Sequence, residues 1–570
     1  MSFFDLHVHP SLKGGISRDT VQYNAWEEIG LFQVSSVILK KFLQILNSQS
    51  TLTQLKSSGT VAVATLTAIE RAFAKNFIIY FILADPLVSP LSRRKLKRLR
   101  RDQSTYYNFF LSDLQQIEDA KGKNGGYNLV KKYTDIQHGQ LNILFSIEGV
   151  HSLQAVLDET SDAAKAISII SNFNNLKDNT NYRFLFLTLA HLTRQPACVQ
   201  CLGVRMKKLL DLFPEIDFLP DPEKIGFQPL GKEIITIAYD SQKSPAILID
   251  IKHMSLVTRL QFNELRIQNN WTHIPIIASH MGVTGLSYKN LRIKDIIPGR
   301  DEKECDEIFW YCKNGFEGTK FNPWTICLYD EEIIIILESK GLIGISLDQR
   351  MIGEGEIYGE YMSKLEVKEL QLHHFITEAV DESFTDPVSI EEDRALFTDF
   401  FKDEWIQNFL RERGIGLRED NTIDLENNKE LQDLRYEILF DLDKVLGPFG
   451  VSHFDYLANN ILHVIKVGIL NGYDGTNDKA DVRRSICIGS DLDGLIDAMN
   501  FPDWVHRLPV DEDNWTRADK YQLFKEELIY SIDTLKKMDP IMDSAISDTA
   551  GLVQDIMEQN ALLFLQTNFT

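Results

Sequence analysis

Residues 3–10 read FFDLHVHP, an apolar run that closes on two histidines two positions apart and stops at a proline. Side chains of a strand alternate between its faces, so His7 and His9 project together. Two imidazoles side by side at a strand end are either half of a metal site or unrelated surface groups. The choice between these depends on what the other strands carry at their own ends.

Short apolar runs rich in β-branched residues and bounded by turn signals recur along the chain. They are TVAVATLTAIE (60–70), NILFSIEGVHSL (142–153), RFLFLTLAHLT (183–193), AILIDIKHMS (246–255), PIIASHMGV (275–283), GLIGISLDQR (341–350) and SICIGSDLDGL (485–495). Segments long enough for helices separate them. Near-continuous apolar strands alternating with helices imply parallel pairing buried on both faces. With the opening run there are eight units, which predict an α/β fold, a (β/α)8 TIM-type barrel with long, largely helical insertions. An open doubly wound sheet would carry a glycine-rich phosphate loop after its first strand, where this chain has histidines.

The polar residues fall at the C-terminal ends of these runs. His7 and His9 end the first, Glu148 the third, His191 the fourth, His253 the fifth and His280 the sixth, while Asp491 and Asp493 end the eighth. In a barrel all of these ends converge on one mouth. Five of the chain's 13 histidines therefore meet there with carboxylates, which is not the pattern of isolated core histidines. Imidazole nitrogen and carboxylate oxygen both suit zinc, and the set exceeds what one tetrahedral ion needs. We expect two divalent metal ions, zinc being the best match. His7 and His9 hold one, His253 and His280 the other, and Glu148 lies between them. Two metals about 3.5–4 Å apart make a water nucleophilic at neutral pH. Asp491 is then the general base that takes that water's proton and passes it on. Asp493 is the rival, its alternative being a cap of the following turn.

Composition narrows the partners. The chain has 570 residues, 44% hydrophobic and 25% charged, with a formal charge of −22. That balance suits a soluble globular protein and disfavours broad contact with nucleic acid or an anionic membrane. No run reaches the roughly 18 apolar residues of a membrane span. The first residues lack the basic and apolar regions of a leader, so the expected location is cytoplasmic. Six cysteines are too few for a disulfide scaffold, and the lone CxxC, Cys198 and Cys201, reads as two free thiols. The organisation expected is one barrel domain, 1–570, with insertions at about 85–140, 296–325 and 351–450. The first contains RRKLKRLRR (93–101), read as a solvated basic face. The third follows strand 7 at the active-site face, where it can serve as a lid, a specificity wall or a contact within a homo-oligomer. His373 and His374 within it are adjacent, diverge on a helix and read as ordinary.

Five stretches in order, FSIEGVHSL, LTLAHLTRQP, LIDIKHMS, PIIASHMG and IGSDLDGL, resemble the strand-end motifs of the renal or membrane dipeptidase family of the amidohydrolase superfamily. The C-terminal DIMEQNALLFL resembles that family's closing helix. The resemblance implies a metal-dependent (β/α)8 barrel with two zinc ions bridged by Glu148, His253 and His280 on one of them, a catalytic Asp491 and a substrate-contacting His191. The chain departs from the family in three ways. HxH stands where the family has HxD. Leu291, flanked by Lys289 and Arg292, stands where the family has an arginine for the dipeptide's carboxylate, and we assign that work to Arg292. The chain is also far longer than a minimal member. The activity implied is hydrolysis of the amide bond of a dipeptide or a small N-acyl amino acid. One alternative is a metal-dependent phosphoesterase, because DLHVH also resembles the opening of polymerase-and-histidinol-phosphatase-type enzymes. The other is a catalytically silent barrel acting as a binding protein.

Overall fold

The computed structural model describes residues 3–16, 24–28, 47–71, 98, 104–157, 160–201, 219–299, 305–316, 318–354, 359–372, 376–377, 451–476, 479–501 and 516–570. Most of RRKLKRLRR, the pair His373 and His374, and most of the 351–450 insertion lie outside the described residues.

Eight parallel strands make a closed barrel. They are β1 (Phe4–Val8), β2 (Val61–Leu66), β3 (Asn142–Glu148), β4 (Phe184–Thr188), β5 (Leu248–Asp250), β6 (Ile276–Met281), β7 (Leu342–Ile345) and β8 (Ile486–Ile488). Each pairs with its neighbour in chain order, and β8 closes on β1 through Asp5 and Ile488. Helices cover the outside, among them Tyr106–Ala120, Asp162–Lys177, Pro229–Tyr239, Leu256–Gln268, Asp330–Glu338, His453–Leu470 and Tyr521–Leu535. Several begin where the sequence supplies an oxygen for orphan backbone N–H groups. Ser161 accepts from Ala164 N, Ser255 from Thr258 N, and Ser452 forms a reciprocal capping box with Asp455.

The apolar residues of the strands sort into two buried sets. Phe4, Leu6, Val61, Val63, Leu144, Phe186, Leu248, Ile277 and Leu342 fill the barrel interior. Phe564, Leu565 and Phe569 at the end of the chain pack onto them, so the C-terminal helix Asn560–Asn568 plugs one end. The alternate residues of the strands, such as Ala62, Ala64, Ile143, Phe145, Ile343 and Ile345, pack outward against the helices. In β1 the register shifts between Asp5 and Val8. That irregularity changes which parity faces inward, so Phe4 and Leu6 enter the interior while His7 and His9 turn to the mouth.

Leu291–Ile297 and Asp306–Trp310 form an antiparallel hairpin, joined by Glu360–Met362 and Ile376–Thr377 into a four-stranded sheet. The alternation in LRIKDII is a strand period, buried at Leu291 and Ile293 and exposed between them. Two buried carboxylates tie this region together and to its surroundings. Glu360 accepts from Trp310 Nε1 at 2.6 Å and Thr325 N at 2.9 Å, and Glu366 from Ser255 Oγ at 2.6 Å and Gly226 N at 3.2 Å. Burial outweighs these donors and pushes both carboxyls up to about 7. Among the described residues no helix is long and apolar enough to cross a membrane.

Candidate active site

The strand ends meet in one buried cluster around Glu148, the last residue of β3. His7 Nε2 lies 3.5 Å from its Oε1 and His253 Nε2 also 3.5 Å, while His9 Nε2 is 3.4 Å and His191 Nε2 3.5 Å from its Oε2. His280 Nε2 stands 3.8 Å from Oε1. Asp491 crosses the cluster, with Oδ1 at 3.3 Å from His9 Nε2 and 3.7 Å from His7 Nε2, and Oδ2 at 3.9 Å from His280 Nε2. The structure therefore brings together His7, His9, Glu148, His191, His253, His280 and Asp491.

The local backbone explains the convergence. Beyond β8 the chain keeps pairing with β1, Asp491 N donating to His7 O and His9 N to Leu492 O. Asp491 is thereby held beside both histidines. His253 and Asp491 have left-handed φ values of 64° and 61°, sparsely populated for non-glycine residues. Gly149 follows Glu148 at φ 74°, and a Cβ there would fall 2.4 Å from His151 Nδ1. That position requires glycine.

Hydrogen bonds at the back of the rings turn Nε2 inward on two of them. His9 Nδ1 meets Thr65 O at 3.1 Å, and His280 Nδ1 meets Ser279 Oγ at 2.8 Å. Ser279 Oγ also lies 2.7 Å from Asp250 Oδ2. Burial, then neighbouring imidazoles and Lys252, hold His7, His253 and His280 well below the ordinary histidine range, in the neutral state that ligates metal. His9 and His191 go the other way. Burial opposes their charge, but Asp491 and Glu148 raise His9, and Glu70 with Glu148 lifts His191 to about 9. Burial pushes the Glu148 carboxyl up against the pull of His191 and His9.

The donors fit a divalent metal. Among the described residues Glu148 Oε1 has no hydrogen-bond partner. The Nε2 atoms of His253 and His280 are 3.3 Å apart and those of His7 and His9 3.0 Å. Two ligands of one tetrahedral zinc, each about 2.0–2.1 Å from it, would stand roughly 3.3 Å apart. Three overlapping trios at this centre could hold an ion: His7, Glu148 and His280; His7, His9 and Asp491; and Glu148, His191 and His253. Their overlap does not divide the histidines into two fixed pairs.

Two sequence expectations need correction or sharpening here. Arg292 is not brought to the site. It lies on the exposed side of strand Leu291–Ile297, because the alternation of that strand buries Leu291 and Ile293 instead. Asp493 is spoken for, since its carboxylate accepts from Lys13 Nζ, Gln49 N at 2.9 Å, Ser50 N at 2.6 Å and Ser50 Oγ at 2.9 Å. It ties the loop after β8 to the loops after β1 and leaves the cavity to Asp491. Cys198 and Cys201 are free and buried, with no metal trio around them among the described residues.

The cavity beside the cluster is lined by His9, Glu70, Glu148, His191, Lys252, His253, His280, Asp348, Arg350 and Asp491, among others. It has about 80 Å³ open to the centres of water-sized molecules. That is room for a handful of waters or the reacting part of a small molecule. Glu70, Lys252, Asp348 and Arg350 were not singled out from sequence. Their signal was present, since they too end or follow the runs of β2, β5 and β7. Glu70 Oε1 stands 3.0 Å from His191 Nδ1 and also accepts from Thr193.

No family model matches the chain, and no curated protein matches it. Solved structures similar to it include the probable dipeptidase PvdM from Pseudomonas aeruginosa, at 11% identity and a TM-score of 0.43, covering 99% of this chain and 95% of that one. Another is a metallo peptidase from Rhodobacter sphaeroides liganded with a phosphinate mimic of the dipeptide L-Ala-D-Ala, at 11% identity and 0.41, covering 100% and 99%. A third is the metallo peptidase dipeptidase AC, at 11% identity and 0.39, covering 100% and 99%. Likeness at this level carries no argument about function, which rests on the site itself.

Proposed function

We propose that the chain is a metal-dependent hydrolase that cleaves the amide bond of a dipeptide or a small N-acyl amino acid. The observation that carries this reading is the buried Glu148 carboxylate, facing five imidazole Nε2 atoms at 3.4–3.8 Å, with one oxygen that has no hydrogen-bond donor among the described residues. A buried anion in that setting is matched by cations. His7, His9, Glu148, His253 and His280 would hold two divalent metals, and zinc suits the donors. When bound, these ions supply Lewis acidity for the attacking water and the scissile carbonyl.

The remaining work falls to the chain's own side chains. Asp491 is the cluster carboxylate most open to the cavity, its side chain 15% exposed against 2% for Glu148. It takes the proton of the attacking water on an Oδ and delivers it to the departing nitrogen, so one group serves both halves of the reaction. His191, held by Glu70 and also at the cavity, presents an N–H donor to the carbonyl oxygen of the substrate. The test is metal analysis joined to two substrate panels, dipeptides and phosphoesters, on one preparation. Hydrolysis of dipeptides that is lost on chelation and restored by zinc supports the proposal. Turnover of phosphoesters alone would replace it with a phosphoesterase, and a metal-loaded chain that turns over neither would be a binding protein.

A further inference from the structure

A second cavity lies at the other end of the barrel, with about 620 Å³ open to the centres of water-sized molecules. Its walls come from the segments that lead into β3, β4 and β5, so it opens on the N-terminal face of the strands. The cluster around Glu148 stands at their C-terminal ends, and the reaction proposed above makes no use of this second space.

Five cationic side chains line it, Lys131, Lys132, Lys177, Arg183 and Lys243, against two carboxylates, Asp135 and Asp178. The whole chain carries −22, so a local surplus of positive charge, five against two, runs counter to its composition. None of the four lysines forms an ion pair among the described residues. The two carboxylates are engaged elsewhere. Asp135 Oδ2 accepts from Lys131 N at 3.0 Å and Lys132 N at 3.1 Å, and Asp178 Oδ1 accepts from Ser244 Oγ at 3.2 Å.

Two of the cations are fixed by carbonyl oxygens. Lys177, the last residue of helix Asp162–Lys177, donates to Ile237 O, Ala238 O and Asp240 O. Arg183, just before β4, donates to Lys131 O at 3.2 Å and Thr570 O at 2.6 Å, with its guanidinium carbon 4.1 Å from the centre of the Phe569 ring. Arg183 Nε is buried with no hydrogen-bond partner among the described residues. Carbonyl dipoles orient a cation without neutralising it, and a half-buried cation is best matched by an anion. Burial accordingly holds Arg183 below its ordinary range, and Lys177 too, where it outweighs the pull of Asp240 and Asp178. Lysine meets phosphate as a point charge, without the planar geometry that a carboxylate asks of arginine. One phosphate group, about −1.5 to −2 at pH 7, leaves part of the surplus unmatched, and two such groups cover it. The acidic remainder of the chain repels a polynucleotide, which leaves a small molecule as the ligand.

We propose that this cavity binds a small molecule carrying two phosphate groups, with the exposed Lys131, Lys132 and Lys243 and the half-buried Lys177 and Arg183 as its cations. The inference stands apart from the hydrolase reading, since the site lies at the opposite end of the barrel and its occupancy is read without turnover.

The test is calorimetric titration of the metal-loaded full-length chain with fructose, fructose monophosphate, fructose bisphosphate and a single-stranded oligothymidylate. The bisphosphate should bind at one site at least about tenfold more tightly than the monophosphate, with the free sugar silent and the affinity falling as salt rises. Lys132→Gln and Lys243→Gln should each weaken it by about fivefold, while Lys132→Arg keeps the charge and most of the affinity. Both lysines are exposed, so these variants do not threaten the fold. Glu148→Gln, at the far end of the barrel, should leave bisphosphate affinity unchanged. Binding lost in Glu148→Gln but kept in the lysine variants would place the phosphates on the metal centre and overturn the inference. Equal affinity for monophosphate and bisphosphate, tighter binding of the oligonucleotide, or no saturable binding of the bisphosphate would overturn it as well.

Discussion

Glu148 and Asp493 are both buried carboxylates at the mouth of the barrel, and their surroundings are opposite. Asp493 accepts from a lysine, two backbone N–H groups and a hydroxyl. Glu148 is ringed by imidazoles and keeps an oxygen with no donor among the described residues. The described residues satisfy the first, whereas on the reading proposed above a metal completes the second. A carboxylate whose hydrogen bonds are complete is a structural tie; on the reading proposed above, one left short among imidazoles is a metal ligand.

The strongest test of this contrast is Glu148→Gln. We expect metal content to fall from about two ions per chain to less than one, and hydrolysis by at least about 10³-fold, because both donor groups share that side chain. Full metal content in this variant would break the contrast. Next come the paired aspartates. Asp491→Asn should lower kcat by roughly 10²–10⁴ with the fold and most of the metal retained. Asp493→Asn should instead cost about 3–5 kcal/mol of stability, the usual result of stranding one member of a buried ion pair. Turnover by its folded fraction should stay within a few-fold. Reversed outcomes in unfolding and kinetic assays would mean that the roles of Asp491 and Asp493 are exchanged.

Glu360 and Glu366 fall between these extremes, each with protein donors yet each raised to about 7 from an ordinary 4.5, burial being the main cause. The folded state therefore holds their protons more tightly than the unfolded state does. Their contribution is fully present below about pH 4.5 and is lost as pH rises to about 7, by at most roughly 3 kcal/mol per group. Unfolding free energy measured across that range should slope downward, and Glu360→Gln with Glu366→Gln should flatten the slope. An unchanged slope in the double variant would refute this. The smallest effect is expected from Glu70→Gln. By loosening His191 it should reduce kcat/KM about tenfold with metal content unchanged, the lower end of what lost outer-shell partners cost. No change in kcat/KM would remove Glu70 from the site.

The sequence by itself determined the barrel and most of its mouth. Runs such as PIIASHMGV and SICIGSDLDGL are apolar until their last residues, so fold and candidate ligands are written in one local pattern, and parallel pairing carries strand ends to a common place. Only the tertiary structure decided which of those residues meet. Asp491 and Asp493 are two positions apart and equivalent as text, yet Lys13, Gln49 and Ser50 claim one of them from far away in the chain. Arg292, near in sequence to His280, faces outward on a hairpin, whereas Arg350 reaches the cavity from the end of β7. The β1 irregularity that turns His7 and His9 inward was invisible as well. Local pattern records which face a residue prefers to bury; which partners satisfy a buried charge depends on contacts between distant segments, and those exist only once the barrel has closed.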